Sequence, residues 1–153
     1  MRRTTSVLLI VSLVIAIDQI TKYLVVTYLN PSDSVRIFSF LHLVIIRNTG
    51  AAFGMFKSLG NVFFIVVSII AILFVIWLMV RGKEGYFSLS LILGGATGNL
   101  IDRILYGNVV DFIDFSIWKF HWYTFNIADA ALTVGVIMFF LSSHLLLKRG
   151  AKI

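Results

Sequence analysis

Residues 61–80, NVFFIVVSIIAILFVIWLMV, run for twenty positions without a charged side chain. At 1.5 Å per residue a helix of that length crosses a hydrocarbon core about 30 Å thick, so the stretch reads as a membrane-spanning helix. Three more apolar segments of similar length accompany it, at about 7–29, 86–106 and 127–147. Of the 153 residues 59% are hydrophobic and 14 are Phe, and the mean hydropathy is +1.00, outside the range of a soluble domain. The expected fold is an all-α polytopic membrane protein: four transmembrane helices in one membrane-embedded domain over residues 1–153, with no room for a second.

The formal charge of +6 would in a soluble chain suggest nucleic acid as a partner. Here Arg2, Arg3, Arg81, Lys83, Lys148, Arg149 and Lys152 flank the ends of apolar runs instead of forming one patch, which is where positive residues set topology. No nucleic acid partner is expected. The same residues put both termini and the connection between the second and third spans on the cytoplasmic side. The two longer connections, 30–60 and 107–126, then fall on the outer face. With no cysteine there is neither a disulfide nor a thiol nucleophile. The opening MRRTTSVLLIVSLVIAI has the form of a signal peptide, but the run continues through Asp18 and Lys22 to about Leu29 without a small-residue cleavage site. An uncleaved first span is expected.

The first outer connection starts with the turn Asn30-Pro31 and continues VRIFSFLHLVIIRN, whose β-branched and aromatic residues predict two or three short strands over 35–47. The second alternates weakly from Val109 to Trp118 and ends in WKFHWYTF, where Trp118, Trp122 and Tyr123 suit an aromatic belt at the headgroup level.

Carboxylates are the exception in this chain, and Asp111 and Asp129 lie on either side of that second connection. A charged residue at membrane depth costs roughly 2.5–3.5 kcal/mol on insertion scales and marks a functional site by default. Asp18 and Lys22, four apart, share a helix face and can pair, which is a structural device as readily as a site element. Gly94-xxx-Gly98 lets helices approach closely, and Asn99, Asp102 and Arg103 make one polar face at the outer end of the same span. Asn126 is a natural N-cap, with Asp129 in the first turn beyond it. Each has a plain structural reading alone, Asp129 for instance as an acid near a helix N-terminus worth about 0.3–1 kcal/mol. Topology does not explain why all of them, with Asn48, gather at the outer end of the bundle.

Two close carboxylates cannot both ionise cheaply, so they hold one proton between them and titrate as a unit. The ionised member takes a proton from water while the protonated member polarises a carbonyl, which is the chemistry of amide hydrolysis. The helix dipole points to Asp129 as the ionised member, although burial opposes its charge. There is no H-E-x-x-H, and His42, His121 and His144 are scattered, so no metal is expected. No G-x-S-x-G and no phosphate-cradling motif occurs, and no cofactor is expected. A small proton-coupled transporter or channel is the alternative, since intramembrane Asp, Lys and Arg also mark ion pathways. The inner halves of the second and fourth spans, however, are almost wholly apolar. A non-catalytic scaffold has no need for Asp111 and Asp129.

Five blocks carry a family resemblance: DQITK at 18–22, NTGAAF at 48–53, GNLIDR at 98–103, VVDFID at 109–114 and FNIAD at 125–129. Their order and spacing over nearly the whole chain resemble bacterial lipoprotein signal peptidase, or signal peptidase II, an aspartic protease of the cytoplasmic (inner) membrane. The resemblance implies four transmembrane helices with a small β-cradle and a short helix on the outer face. It implies a catalytic dyad of Asp111 and Asp129, supported by Asp18, Lys22, Asn48, Gly50, Asn99, Asp102, Arg103 and Asn126. The implied reaction removes the signal peptide from a prolipoprotein whose cysteine already carries diacylglycerol, just before that cysteine. Membrane lipids and globomycin-type inhibitors are the other implied partners, and a monomer is expected. The aromatic outer loop WKFHWYTF, with Gly107 nearby, is expected to close over the peptide as a lid. Thr97 departs from the family's usual aliphatic residue, outside the catalytic blocks.

Overall fold

The structure, a computed structural model, describes residues 3–50, 55–82, 85–118 and 120–150. Arg2, Lys83, Lys119, Lys152 and positions 51–53 of the NTGAAF block lie outside the described residues, as do the side chains of His121, His144, Lys148 and Arg149. The chain is mostly helical: α1 is Arg3–Tyr28, α2 Gly60–Arg81, α3 Tyr86–Tyr106 and α4 Ile127–Gly150. These correspond to the four apolar segments read from the sequence, α3 with the same bounds and the others with ends a few residues away. Among the described residues α1 and α2 are long and apolar enough to cross a membrane. Leu8, Leu9 and Leu13 of α1 and Val62, Ile70, Leu73 and Val80 of α2 face outward. An apolar belt of this extent has lipid as its solvent.

Helix α3 is the centre of the bundle and packs on α1, α2 and α4. Its glycines make this possible, for two different neighbours. A Cβ at Gly94 would stand 2.8 Å from Val14 Cβ on α1, and one at Gly95 would stand 2.4 Å from the Ala128 carbonyl oxygen on α4. Backbone approach of this kind needs the smallest residue. Thr97 Oγ1 donates to Leu93 O at 2.7 Å and Ser90 Oγ to Tyr86 O at 2.5 Å, so these hydroxyls bond within their own helix. The departure at Thr97 is absorbed in this way.

At one end of the bundle the two longer connections build an antiparallel sheet in the order β1 (Val35–Phe38), β2 (Leu41–Asn48), β3 (Val109–Ile117). A two-residue β4 (Phe120–His121) turns back along the end of β3. The strands expected over 35–47 are present, and the second connection is more regular than its weak alternation suggested. Val109, Val110, Asp111 and Phe112 are all buried in succession, so the strand is covered on both faces and loses the period-2 signature.

The aromatic stretch expected to act as a lid is paired to the sheet. Trp122 N donates to Phe115 O at 2.7 Å and Phe125 N to Ile113 O at 3.1 Å. Gly107 caps α3 in the left-handed conformation, at φ +73°, with its N–H on Arg103 O. Besides the four long helices, the described residues hold a three-residue 3-10 turn, Lys57–Leu59, between β2 and α2, and no further short helix of the kind expected on the outer face. At the opposite end of the bundle Arg3 Nη2 donates to Met79 O and Gly82 O, at 3.0 and 2.8 Å, and so satisfies the C-terminal carbonyls of α2.

Candidate active site

Two residues, Gly107 and Asn108, separate the end of α3 from the start of β3. Asp102, on the last turn of α3, accepts the Val110 N–H at 3.2 Å and fixes the start of the strand. The strand then carries Asp111 to the N-terminus of α4. There Asn126 and Asp129 form a reciprocal cap: Asp129 N donates to Asn126 Oδ1 at 2.8 Å, and Asn126 N donates to Asp129 Oδ2 at 3.3 Å. Asn126 Nδ2 donates to Asp111 Oδ1 at 2.7 Å. One fully buried residue therefore bonds both carboxylates, Asp111 through its side-chain amide and Asp129 through its backbone N–H.

Each carboxylate has its own further donors. Asp111 Oδ2 receives Asn48 Nδ2 at 3.0 Å and the Tyr123 hydroxyl at 2.9 Å. Asn48 is turned correctly for this because its Oδ1 accepts Gly50 N–H at 2.9 Å. Gly50 O in turn receives Arg103 Nη2 at 2.7 Å, and the guanidinium lies 4.6 Å from the centre of the Phe64 ring. Asp129 Oδ1 receives Asn99 Nδ2 at 2.8 Å.

Behind Asn99 lies a buried charge cluster. Lys22 Nζ is 2.7 Å from Asp18 Oδ2 and 2.9 Å from Asp102 Oδ2, and it donates to Asn99 Oδ1 at 3.1 Å. Gln19 Nε2 donates to Asp18 Oδ2 at 3.1 Å and to Asp102 Oδ1 at 3.0 Å. Asp18 Oδ1 takes the Ala128 N–H at 2.9 Å, which ties the first turn of α4 to α1. Such a cluster persists because every charge in it is paired and hydrogen-bonded; removing one member would strand the others.

All the residues proposed from the sequence, Asp18, Lys22, Asn48, Gly50, Asn99, Asp102, Arg103, Asp111, Asn126 and Asp129, thus belong to one connected network. Two members were missed. Gln19 sits between Asp18 and Lys22 in sequence, and its neighbours carried the only signal for it. Tyr123, expected in the aromatic belt with Trp118 and Trp122, instead turns its hydroxyl onto Asp111, while Trp118 is 99% exposed. Composition does not distinguish the two uses of an aromatic residue; the pairing of residues 122–125 along β3 does.

The network forms one wall of a cavity of about 690 Å³. Asn48, Asn99, Arg103, Asp111, Tyr123 and Asp129 supply its polar wall, and Phe64, Val67 and Ala71 of α2 with Leu132 and Val134 of α4 supply its apolar one. Burial, and then the charge of Asp129, push the Asp111 carboxyl up from 3.8 to about 6, against the pull of its three hydrogen-bond donors. The Tyr123 phenol is raised far above its ordinary value, first by burial and then by the charge of Asp111.

Residues 10–145 match the family model for signal peptidase (SPase) II. The chain belongs to the signal peptidase II family. Lipoprotein signal peptidase of Thermodesulfovibrio yellowstonii is 46% identical over 127 residues, 83% of this chain and 86% of that protein. Its counterpart in Francisella tularensis subsp. novicida is 44% identical over 139 residues, 86% of each. A solved bacterial membrane enzyme superposes with a TM-score of 0.86 at 35% identity, covering 97% of this chain and 91% of its own. A second does so with a TM-score of 0.82 at 36% identity, covering 90% and 92%. This signal peptidase II is therefore a membrane-protein hydrolase of the aspartic type.

Proposed function

We propose that this signal peptidase II uses Asp111 and Asp129 to remove the signal peptide from prolipoproteins whose cysteine carries diacylglycerol, cutting just before that cysteine. The observation that carries the reading is the convergence of the two carboxylates, one from β3 and one from the first turn of α4, on one cavity, where the side chain of Asn126 bonds the first and its backbone N–H the second. Asp129, at the positive end of the α4 dipole, is the ionised member and takes a proton from the attacking water. Asp111 holds the shared proton up to about pH 6 and donates a hydrogen bond to the scissile carbonyl oxygen as its charge develops. Collapse of the tetrahedral intermediate sends the proton held by Asp129 to the leaving amine.

The apolar wall between α2 and α4 suits the two acyl chains, which stay among lipids while the peptide lies against the polar wall. Helices α3 and α4 complete a four-span bundle of the inner membrane, with the termini cytoplasmic and the site near the outer face. Arg3 and Arg81, at the end away from the sheet, support that orientation. The enzyme acts as a monomer, and globomycin-type inhibitors compete for its cavity.

The test is cleavage of a diacylglyceryl-modified precursor peptide by purified protein in detergent, beside an unlipidated control and the Asp111→Asn and Asp129→Asn variants. Cleavage that needs the lipid and both aspartates is expected. Cleavage by either folded variant at the wild-type rate would refute the dyad.

A further inference from the structure

The four in-plane lone pairs of a carboxylate limit where a catalytic proton can sit, and at Asp111 three of them are taken. Oδ2 receives two donors, Asn48 Nδ2 at 3.0 Å and the Tyr123 hydroxyl at 2.9 Å. Oδ1 receives one, Asn126 Nδ2 at 2.7 Å. Asn48 cannot turn away without losing Gly50 N–H from its Oδ1, and its Nδ2 also donates to the Tyr123 oxygen. Tyr123, Asn48 and Asp111 Oδ2 therefore close a triangle in which every member bonds to the other two. The tyrosine backbone is held beside β3 by the bonds of Trp122 N and Phe125 N to Phe115 O and Ile113 O.

We propose that Tyr123 is a positioning residue for Asp111: its hydroxyl, with the amide of Asn48, fills Oδ2 and confines the catalytic proton to the remaining site on Oδ1. The inference rests on the dyad reading. In protonated Asp111, Oδ2 is then the carbonyl oxygen accepting both donors, and Oδ1 is the hydroxyl. That hydroxyl is the atom that bonds to the substrate carbonyl, and it lies on the oxygen held by Asn126, the residue that also caps Asp129. Tyr123 itself neither gains nor loses a proton. Burial and the charge of Asp111 keep its phenol protonated throughout the working range. The other charged groups facing this pair are Asp129 on α4 and Arg103 on α3, with Asp102 beside Arg103.

The sign of the effect follows from the bond. A phenol that donates to Asp111 favours its ionised form, so removing it lets Asp111 keep its proton to higher pH. In Tyr123→Phe the alkaline limb of the kcat/KM profile, measured on the diacylglyceryl peptide, is expected to move up by about one pH unit. The plateau should fall severalfold as the carboxyl loses its fixed orientation. Site-specific fluorination of the Tyr123 ring makes the phenol a stronger donor and should move the same limb down. Asp111→Asn, run alongside, separates the two ideas. If it is inactive and Tyr123→Phe loses rate with the limb unmoved, Tyr123 is merely structural and the proposal is wrong. If Asp111→Asn stays active, the dyad fails and the proposal with it. Should Tyr123→Phe not fold, the fluorinated protein decides: a limb shifted down supports the role, and an unmoved limb overturns it.

Discussion

Asn126 shows how much one side chain carries at this site. Its Oδ1 caps α4 through Asp129 N–H, its Nδ2 holds the Asp111 carboxylate and its backbone N–H the Asp129 carboxylate, so one residue ties β3 to the first turn of α4. Asn126→Ala should cost about 1 kcal/mol of stability as a lost cap. The accompanying loss of kcat should be on the order of a hundredfold, because the reacting groups lose registration; thermal melts beside single-turnover rates separate the two. The raised Asp111 carboxyl makes a second prediction. Activity needs this group protonated, so kcat/KM should fall as pH rises through about 6. The limb in kcat should lie higher, since bound peptide desolvates the pair further. The folded value lies above the unfolded one, so Asp111 contributes stability that is present below pH 3.8 and lost as pH rises to about 6. Asp111 and Asp129 were legible in the sequence because a carboxylate in so apolar a chain has few plain explanations. Tyr123 was not, because an aromatic residue between Trp122 and Thr124 has a plain one.

Among the elements, α3 serves both packing and the site. Gly95 meets the Ala128 carbonyl directly ahead of Asp129, so Gly95→Ala must push α4 outward. Overpacking of this kind costs typically 1–3 kcal/mol, and here the melting temperature and kcat should fall together. Gly98, whose Cβ would stand 2.8 Å from Asp18 Oδ2, ties the same helix to the charge cluster. Lys22→Met leaves Asp18 and Asp102 facing each other without their cation. A loss of about 3–5 kcal/mol is expected from denaturant unfolding in detergent. The helices could be read from hydropathy and the glycines from their spacing. The Asp18–Lys22 pair followed from i,i+4 geometry, but its third member, Asp102, comes from a helix 80 residues on, and a one-dimensional pattern holds no such information. Strand β3 was half-hidden for a related reason: a strand buried on both faces has no alternation to read.

For the whole molecule, the division of labour runs along the bundle. Basic residues and helix C-terminal carbonyls meet at one end, the sheet and both carboxylates lie at the other, and the cavity has a polar wall toward the sheet and an apolar one between α2 and α4. If the apolar wall holds acyl chains, Ala71→Phe should raise KM for the diacylglyceryl peptide about tenfold, the effect of losing roughly 1.4 kcal/mol of binding. The same change should leave kcat within a few-fold, since Ala71 lies on α2, away from Asn126; steady-state kinetics with substrates of different acyl length will show it. The shared proton is tested most directly by infrared difference titration of the purified wild-type protein against Asp111→Asn. A protonated-carboxyl band that titrates near pH 6 and is missing from the variant is expected. A wild-type spectrum with no such band above about pH 4, the range of ordinary unperturbed carboxyls, would mean that both aspartates are ionised at rest, contradicting the acid–base pair.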